Sequence, residues 1–359
     1  MFIASLIVVA LAIWYLPYRA KTVFKLKKAW PGSVLLFLLL TGYLATIMSG
    51  FYLEPNVVAQ WAYNILGLAF MVIIYLLALV LGGHLLAKIF KPLNSQLAMR
   101  AEFLLALGLI LYGWANVQTF TVTRHEIPLP GLAQPVTVAH IPDLHLGAQR
   151  QEKYLNKVIK AINELKPDIV IYNGDLIDSN IALRPELFRL FKKVKSEQYF
   201  TTGNHEYYIN TNKALELIAG AGIIILKSQS AQTHGLELIG LDYMNGDRGS
   251  TDAHRVNDLY MDEELPKIPR GQGPAILIHH SPVGLKEPLK NGIKVMLSGH
   301  THGGQIFPFT ALISRYFPYF KGRYELNGLT LLVSQGAGTF GPWMRLGTFN
   351  EIQLITFRP

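Results

Sequence analysis

Ile169-Val170-Ile171-Tyr172-Asn173-Gly174-Asp175-Leu176-Ile177-Asp178 decides how the C-terminal part of this chain folds. Its first four residues are apolar and β-prone in an unbroken run, the pattern of a short strand buried on both faces. The run empties into Gly174-Asp175, a flexible residue followed by a carboxylate. Upstream, Leu155, Val158, Ile159, Ile162 and Leu165 recur at helical spacing, and Pro167 ends that helix. Helix, strand and polar loop form the unit of an α/β layer, where ligand-binding groups collect at the carboxyl ends of strands.

The same grammar recurs along the chain. Residues 136–140 run into Asp143-Leu144-His145. A second helix carrying Leu187, Phe188, Leu190, Phe191 and Val194 precedes the strand 199–202 and Gly203-Asn204-His205-Glu206. Residues 275–278 lead to His279-His280, and residues 295–297 lead to Gly299-His300-Thr301-His302. The segments 236–241, 329–334 and 352–357 are richer in strand than in helix, so the order suits two mixed sheets packed face to face with helices outside. Taken singly, each polar motif is ordinary turn chemistry. Taken together, they supply carboxylates, imidazoles and one amide, the donor set of hard-to-borderline divalent cations.

The chain has 359 residues, no cysteine and a formal net charge of +9. The lack of cysteine excludes disulfides, thiolate metal sites and cysteine nucleophiles, and leaves either redox compartment open. Composition changes near residue 124: residues 1–124 read as a transmembrane helical region and residues 125–359 as a globular domain. Uncharged stretches near residues 1–18, 31–53, 57–87 and 103–123 approach the ~20 residues that cross a hydrocarbon core, so about four spans are expected. A cleaved signal peptide is the rival reading of the first, although a basic leader and a small-residue cleavage site are missing.

Arg19, Lys21, Lys25, Lys27 and Lys28 separate the first two stretches, and Lys88, Lys91 and Arg100 separate the last two. Only Glu54 lies between the second and third. The positive-inside rule then places the basic loops in the cytoplasm, and the globular domain of this multi-pass cell-membrane protein on the periplasmic or extracellular side. Much of the positive charge therefore reports topology, and no nucleic acid partner is expected. His84 reads as a residue at the membrane interface, or as a proton or ion site. The scarcity of other ionisable groups within the spans argues against a transporter.

The motif set resembles the calcineurin-like metallophosphoesterase superfamily. Leu297-Ser298-Gly299-His300-Thr301-His302-Gly303-Gly304-Gln305 and Ser334-Gln335-Gly336-Ala337-Gly338 are similar to its bacterial membrane-associated or exported branch, of the YkuE and YaeI type. The resemblance covers roughly residues 136–357 and implies a four-layer α/β/β/α sandwich with two divalent cations (manganese, iron or zinc) at the sheet ends. Carried over by position, Asp143, His145 and His302 hold one cation, Asn204, His280 and His300 hold the other, and Asp175 bridges them. A water between the cations is the nucleophile, and His205 is the acid or the hydrogen-bond donor to phosphate. His279 and His280 compete for one position. In the family the ligand usually lies two residues before a proline, so Pro282 points to His280 and leaves His279 structural. Pro142 stands where the family often has serine, a departure that bears on loop geometry and removes no ligand. Asp178 and Glu206 read as orienting groups, and His125, His234 and His254 as solvated.

The function expected is a membrane-anchored phosphoesterase that hydrolyses phosphate ester or pyrophosphate bonds, with a lipid-linked or envelope substrate and the lipid bilayer as partners. The alternative is a catalytically silent metal- or phosphate-binding sensor or scaffold. Phe307, Phe309, Tyr316, Phe317, Tyr319, Phe340, Pro342, Trp343 and Met344, interspersed with Arg315, Lys321, Arg323 and Arg345, read either as a lipid-facing mouth or as ordinary core and loop packing.

Overall fold

The computed structural model describes residues 2–52, 57–87, 89, 96–243 and 260–359; Glu54, Lys88, Lys91 and His254 lie outside them. It divides into two units: Met1–Ala115 with Gly341–Met344, and Asn116–Phe340 with Arg345–Pro359.

The first unit holds α1 (Phe2–Phe24), α2 (Trp30–Tyr52), α3 (Val57–Leu86) and α4 (Gln96–Asn116). Among the described residues two segments, Gln60–Leu86 and Gln96–Asn116, are long and apolar enough to cross a membrane, and the apolar part of α2 is the shorter Trp30–Thr46. Four helices are present, and two of them hold these segments. The last span was misplaced. α4 takes in Arg100 and Glu102, while Thr121, Val122 and Thr123 leave the helix for a strand, as their β-branched side chains prefer. Ala12, Leu16, Leu40, Ile73, Leu77 and Val80 form the interior of the unit. Trp14, Trp30, Leu38, Trp61, Ile65 and Leu104 are exposed, an apolar exterior that suits lipid better than water. Thr41 and Thr46 hydroxyls donate to the carbonyls of Phe37 (2.8 Å) and Tyr43 (2.7 Å), hiding their polarity within the helix. His84 is not isolated: its Nδ1 meets the Tyr15 hydroxyl, and the two rings stack.

The second unit is built on two six-stranded sheets. In the first, β2 (Val136–His140), β3 (Ile169–Asn173), β4 (Glu197–Thr201) and β5 (Ile224–Ile225) run parallel. On its other side β12 (Glu351–Arg358) lies antiparallel to β2 and parallel to β1 (Thr121–Pro128). In the second sheet, β7 (Leu236–Gly240), β8 (Ala275–Ile278), β9 (Val295–Ser298) and β11 (Leu329–Val333) are parallel. Antiparallel β6 (Gln229–Thr233) and β10 (Gly322–Leu326) close its edges. All of β3 is buried, as its unbroken apolar run requires.

One core joins the facing sides of the two sheets through Val138, Ile169, Ile171, Ile276, Leu297 and Ile355. Another packs the first sheet against α5 (Glu152–Leu165), whose Leu155, Val158, Ile159 and Ile162 stripe is buried. The second predicted helix is shorter than expected: α6 covers only Pro185–Phe188, and Arg189–Lys193 tightens to 3₁₀. Gln198 and Asn163 amides bond the Phe191 and Lys193 carbonyls there, so those carbonyls need no further helical turn.

Candidate metal centre

Strand ends from both sheets deliver the motifs to one place. β2 leads to Asp143 and His145, β3 to Asp175, β4 to Asn204 and His205, β8 to His280, and β9 to His300 and His302. Three interlocking groups have donor atoms within 4.8 Å of one another: Asp143 with His145 and His302, His145 with Asp175 and His205, and Asp175 with His280 and His300. His145 Nε2 lies 3.0 Å from His302 Nε2 and 3.8 Å from Asp175 Oδ2. His280 Nε2 lies 3.2 Å from the same Asp175 oxygen and 3.7 Å from Asp143 Oδ1. Asn204 is buried on the turn that also presents His205, and its Oδ1 has no hydrogen-bond partner.

The backbone is bent to do this. Asp143 (φ 55°), His145 (φ 49°), Asp175 (φ 50°), His300 (φ 70°) and His302 (φ 50°) all occupy the left-handed region, a costly conformation for residues with a Cβ that tends to cluster at functional sites. The motif glycines have a different task. A Cβ on Gly203 would run into Asp175 Oδ1, and one on Gly299 into Asp143 Oδ2. Pro142 fits here: its carbonyl accepts from Ala337 N at 2.9 Å, and its ring lies beside Gly299.

A surrounding layer fixes the donors. His280 Nδ1 donates to the Asn173 carbonyl at 2.7 Å, which aims Nε2 into the cluster, 3.2 Å from Asp175 Oδ2. His145 Nδ1 faces Asp178 Oδ1 at 3.2 Å in the same sense. Both arrangements are those of metal-ligating imidazoles. The Glu206 carboxylate accepts from the backbone N–H groups of Asp175, Ile177 and Gly203 at 3.0, 3.1 and 2.8 Å, stitching two loops together. His279 turns away: its Nδ1 meets the Ser281 carbonyl at 2.8 Å and its ring stacks on Tyr243. Of the adjacent pair, His280 is the one that enters the cluster.

Sequence reading missed Arg345. Grouped there with interfacial basic residues, it is fully buried. Its guanidinium bonds the carbonyls of His302 (3.1 Å), Gln335 and Gly338 (2.7 Å), and stands 3.2 Å from His302 Nδ1. Since arginine only donates, that Nδ1 accepts, and the ring hydrogen of neutral His302 falls on Nε2 toward His145. The donor set fits divalent cations: nitrogen and oxygen donors converge, the Asn204 amide oxygen is orphaned, and the carboxylates are buried.

The electrostatics agree. Burial pushes the Asp143 carboxyl up to about 7 against the pull of His280, with Asp175 adding to the rise. Burial and then Asp175 likewise push Glu206 up to about 7. Burial, the largest single influence, disfavours charge on His280 and His205, yet Asp175 together with Asp143 for the first and Asp178 for the second outweighs it and holds them up to about 10 and about 9. Two imidazolium groups thus stand beside Asp175, where divalent cations would neutralise it. Burial, with His280 second, pulls His300 down to about 3, so its ring is a neutral donor.

Aromatic rings rim the cluster. Phe340 lies against His205 (5.0 Å between centroids) and His145 (6.2 Å), and Phe317 stands edge-on to His300 at 5.5 Å. Phe307, Phe309, Tyr316 and Phe340 are exposed, whereas Tyr319 is half-buried against the outer core and Met344 is buried. Of the histidines read as solvated, His234 is exposed but His125 is half-buried in β1.

The family model described as calcineurin-like phosphoesterase matches residues 136–304. A Danio rerio transmembrane protein with metallophosphoesterase domain is 30% identical over 363 residues, covering 92% of this chain and 81% of that protein. An uncharacterised metallophosphoesterase of Campylobacter jejuni is 30% identical, covering 76% of this chain and 74% of its own. One from Aquifex aeolicus is 29% identical, covering 68% and 92%. The chain belongs to the calcineurin-like metallophosphoesterase family.

Proposed function

We propose that this chain is a membrane-anchored, cation-dependent hydrolase of phosphate ester or pyrophosphate bonds, acting on a lipid-linked or envelope substrate from the outer side of the membrane. One observation carries the hydrolytic reading. A single buried oxygen, Asp175 Oδ2, faces His280 Nε2 at 3.2 Å and His145 Nε2 at 3.8 Å, so one carboxylate is shared by two imidazole-containing groups. Asp143, His145 and His302 are suited to one cation, Asn204, His280 and His300 to a second, and Asp175 to both. Cations so placed supply Lewis acidity and a nucleophile at neutral pH.

The protein's own groups do the rest. His205 is held by Asp178 at Nδ1 (3.2 Å), and its backbone N–H is anchored on Asp175 Oδ1 (2.8 Å). The ring stays protonated at neutral pH, the form that donates to a phosphate oxygen and gives a proton to a leaving alkoxide. Phe340 and Phe317 screen the cluster from water on two sides. The apolar helices and the relatives named as transmembrane proteins support the anchoring, and the basic loops support the outward orientation.

Hydrolysis of bis-p-nitrophenyl phosphate and p-nitrophenyl phosphate by the purified full chain, stripped of metal and then loaded with manganese, zinc or iron, tests this reading. Turnover that requires a cation and disappears in Asp175→Ala is the expected result. Bound cations without turnover of any ester point to a binding protein, and failure to bind cations rejects the site.

A further inference from the structure

The second sheet carries a groove of about 600 Å³ that hydrolysis itself does not use. One wall is the segment from Pro282 to Leu285 with the short helix Glu287–Lys290; the other holds Pro318, Tyr319 and Leu326. Both walls lie a short stretch of chain from the cation cluster. Pro282 follows His280 by two residues, a reach of at most about 7 Å. Pro318 follows Phe317, whose ring touches His300.

The far end is set by strand register. β9 delivers His300 at its carboxyl end, β11 runs parallel to it, and β10 returns antiparallel with Leu326 opposite Leu329. Gly322 therefore lies toward the cluster and Leu326 away from it, which gives the groove a length of about 14 Å at ~3.4 Å per residue. Leu285, Leu289, Tyr319 and Leu326 form its floor, packed on the outer core of the sheet. Exposed Lys286 and Lys290 mark the lip, the latter held by Glu287 at 2.8 Å.

We propose that this groove holds the hydrocarbon chain of an amphiphilic phosphoester whose phosphate sits on the Asp175, His280 and His300 group. This rests on the hydrolytic reading above. Each wall follows a group of the cluster within two residues, and the floor is apolar and strand-length. A chain laid there extends away from the reacting phosphate, so its length alters binding without altering the chemistry.

The test uses the full chain in lipid nanodiscs, loaded with manganese, on p-nitrophenyl alkyl phosphates from methyl to dodecyl. The expected kcat/KM rises with chain length by up to roughly fourfold per methylene, then levels once the groove is filled. Leu289→Gln and Leu326→Gln, on opposite walls, each reduce the dodecyl-to-methyl ratio at least tenfold. Partition into the nanodisc favours long chains equally in wild type and variants, so a ratio unchanged by both substitutions overturns the groove while leaving the hydrolase intact. No turnover of any ester with any cation overturns the hydrolase and the groove with it. An alkyl phosphate carrying a terminal diazirine gives a readout independent of turnover: labelling of residues 282–290 or 318–327 is expected, and labelling confined elsewhere overturns the proposal.

Discussion

The two sheets contribute unequally to the cluster. The loops of the first supply both carboxylates, Asp143 and Asp175, together with Asn204 and His145, and they are backed by further carboxylates, Asp178 and Glu206. The loops of the second supply only imidazoles, His280, His300 and His302, held by a backbone carbonyl and by an arginine. The carboxylates therefore reside on one side only, and the second sheet offers imidazoles alone. Substitutions in the first half are therefore expected to remove attraction for cations, and those in the second to remove geometry.

The largest effect follows from that division. Asp175→Asn is expected to lower kcat/KM by on the order of 10³-fold or more, with no recovery in added imidazole. His280→Ala is expected to lose activity on a similar scale and to regain part of it in imidazole. Equal behaviour of the two variants in a rescue assay would erase the distinction. Next, His205→Ala is expected to cost roughly 10²- to 10⁴-fold in kcat, with less loss for esters whose leaving group needs no proton, such as p-nitrophenol. A uniform loss across leaving groups would remove His205 from proton transfer.

The supporting residues allow a milder test. Asp178→Asn is expected to lower cation affinity or activity by about 10- to 100-fold. Arg345→Lys, which keeps the charge but loses the fork that spans several carbonyls, is expected to cost less in affinity and more in thermal stability. Calorimetry of cation binding beside thermal melts reads both, and the reverse ranking would place the electrostatic weight on the second sheet.

The smallest signal is a proton count. His280, held up to about 10, is protonated at pH 7 and must be neutral to bind a cation through Nε2. Cation uptake is therefore expected to release protons, and affinity to climb as pH rises above 7. Titration calorimetry in two buffers of different ionisation enthalpy measures the release. His280→Ala is expected to reduce it, and identical heats in both buffers would contradict the raised pKa.

The donors of this site were legible because each follows an apolar run that can only be a strand, and strand ends converge. Arg345 was not legible. It sits between Met344 and Leu346 without periodicity, and what buries it is a cage of carbonyls from residues 302 and 335–338 that exists only after folding. The end of α4 was misread because Val117 to Thr123 is uncharged, and hydropathy alone cannot separate a membrane segment from a strand. β1 is recognisable only through its pairing with β12, a contact between distant stretches that no local pattern announces.

That pairing bears on how the protein is made. Thr121 lies opposite Glu351, and β12 sits between β1 and β2. As the ribosome extends the chain, the helices emerge first and β1 follows at once. It then waits for more than 200 residues of synthesis before its neighbour exists. Until then β1 and the adjoining edge of β2 present unpaired backbone, a template for the wrong partner. Late, long-range closure of this kind slows folding. The first sheet is thus completed only when its last strand arrives, and truncation within residues 351–358 is expected to leave a nascent domain that aggregates rather than a shortened enzyme.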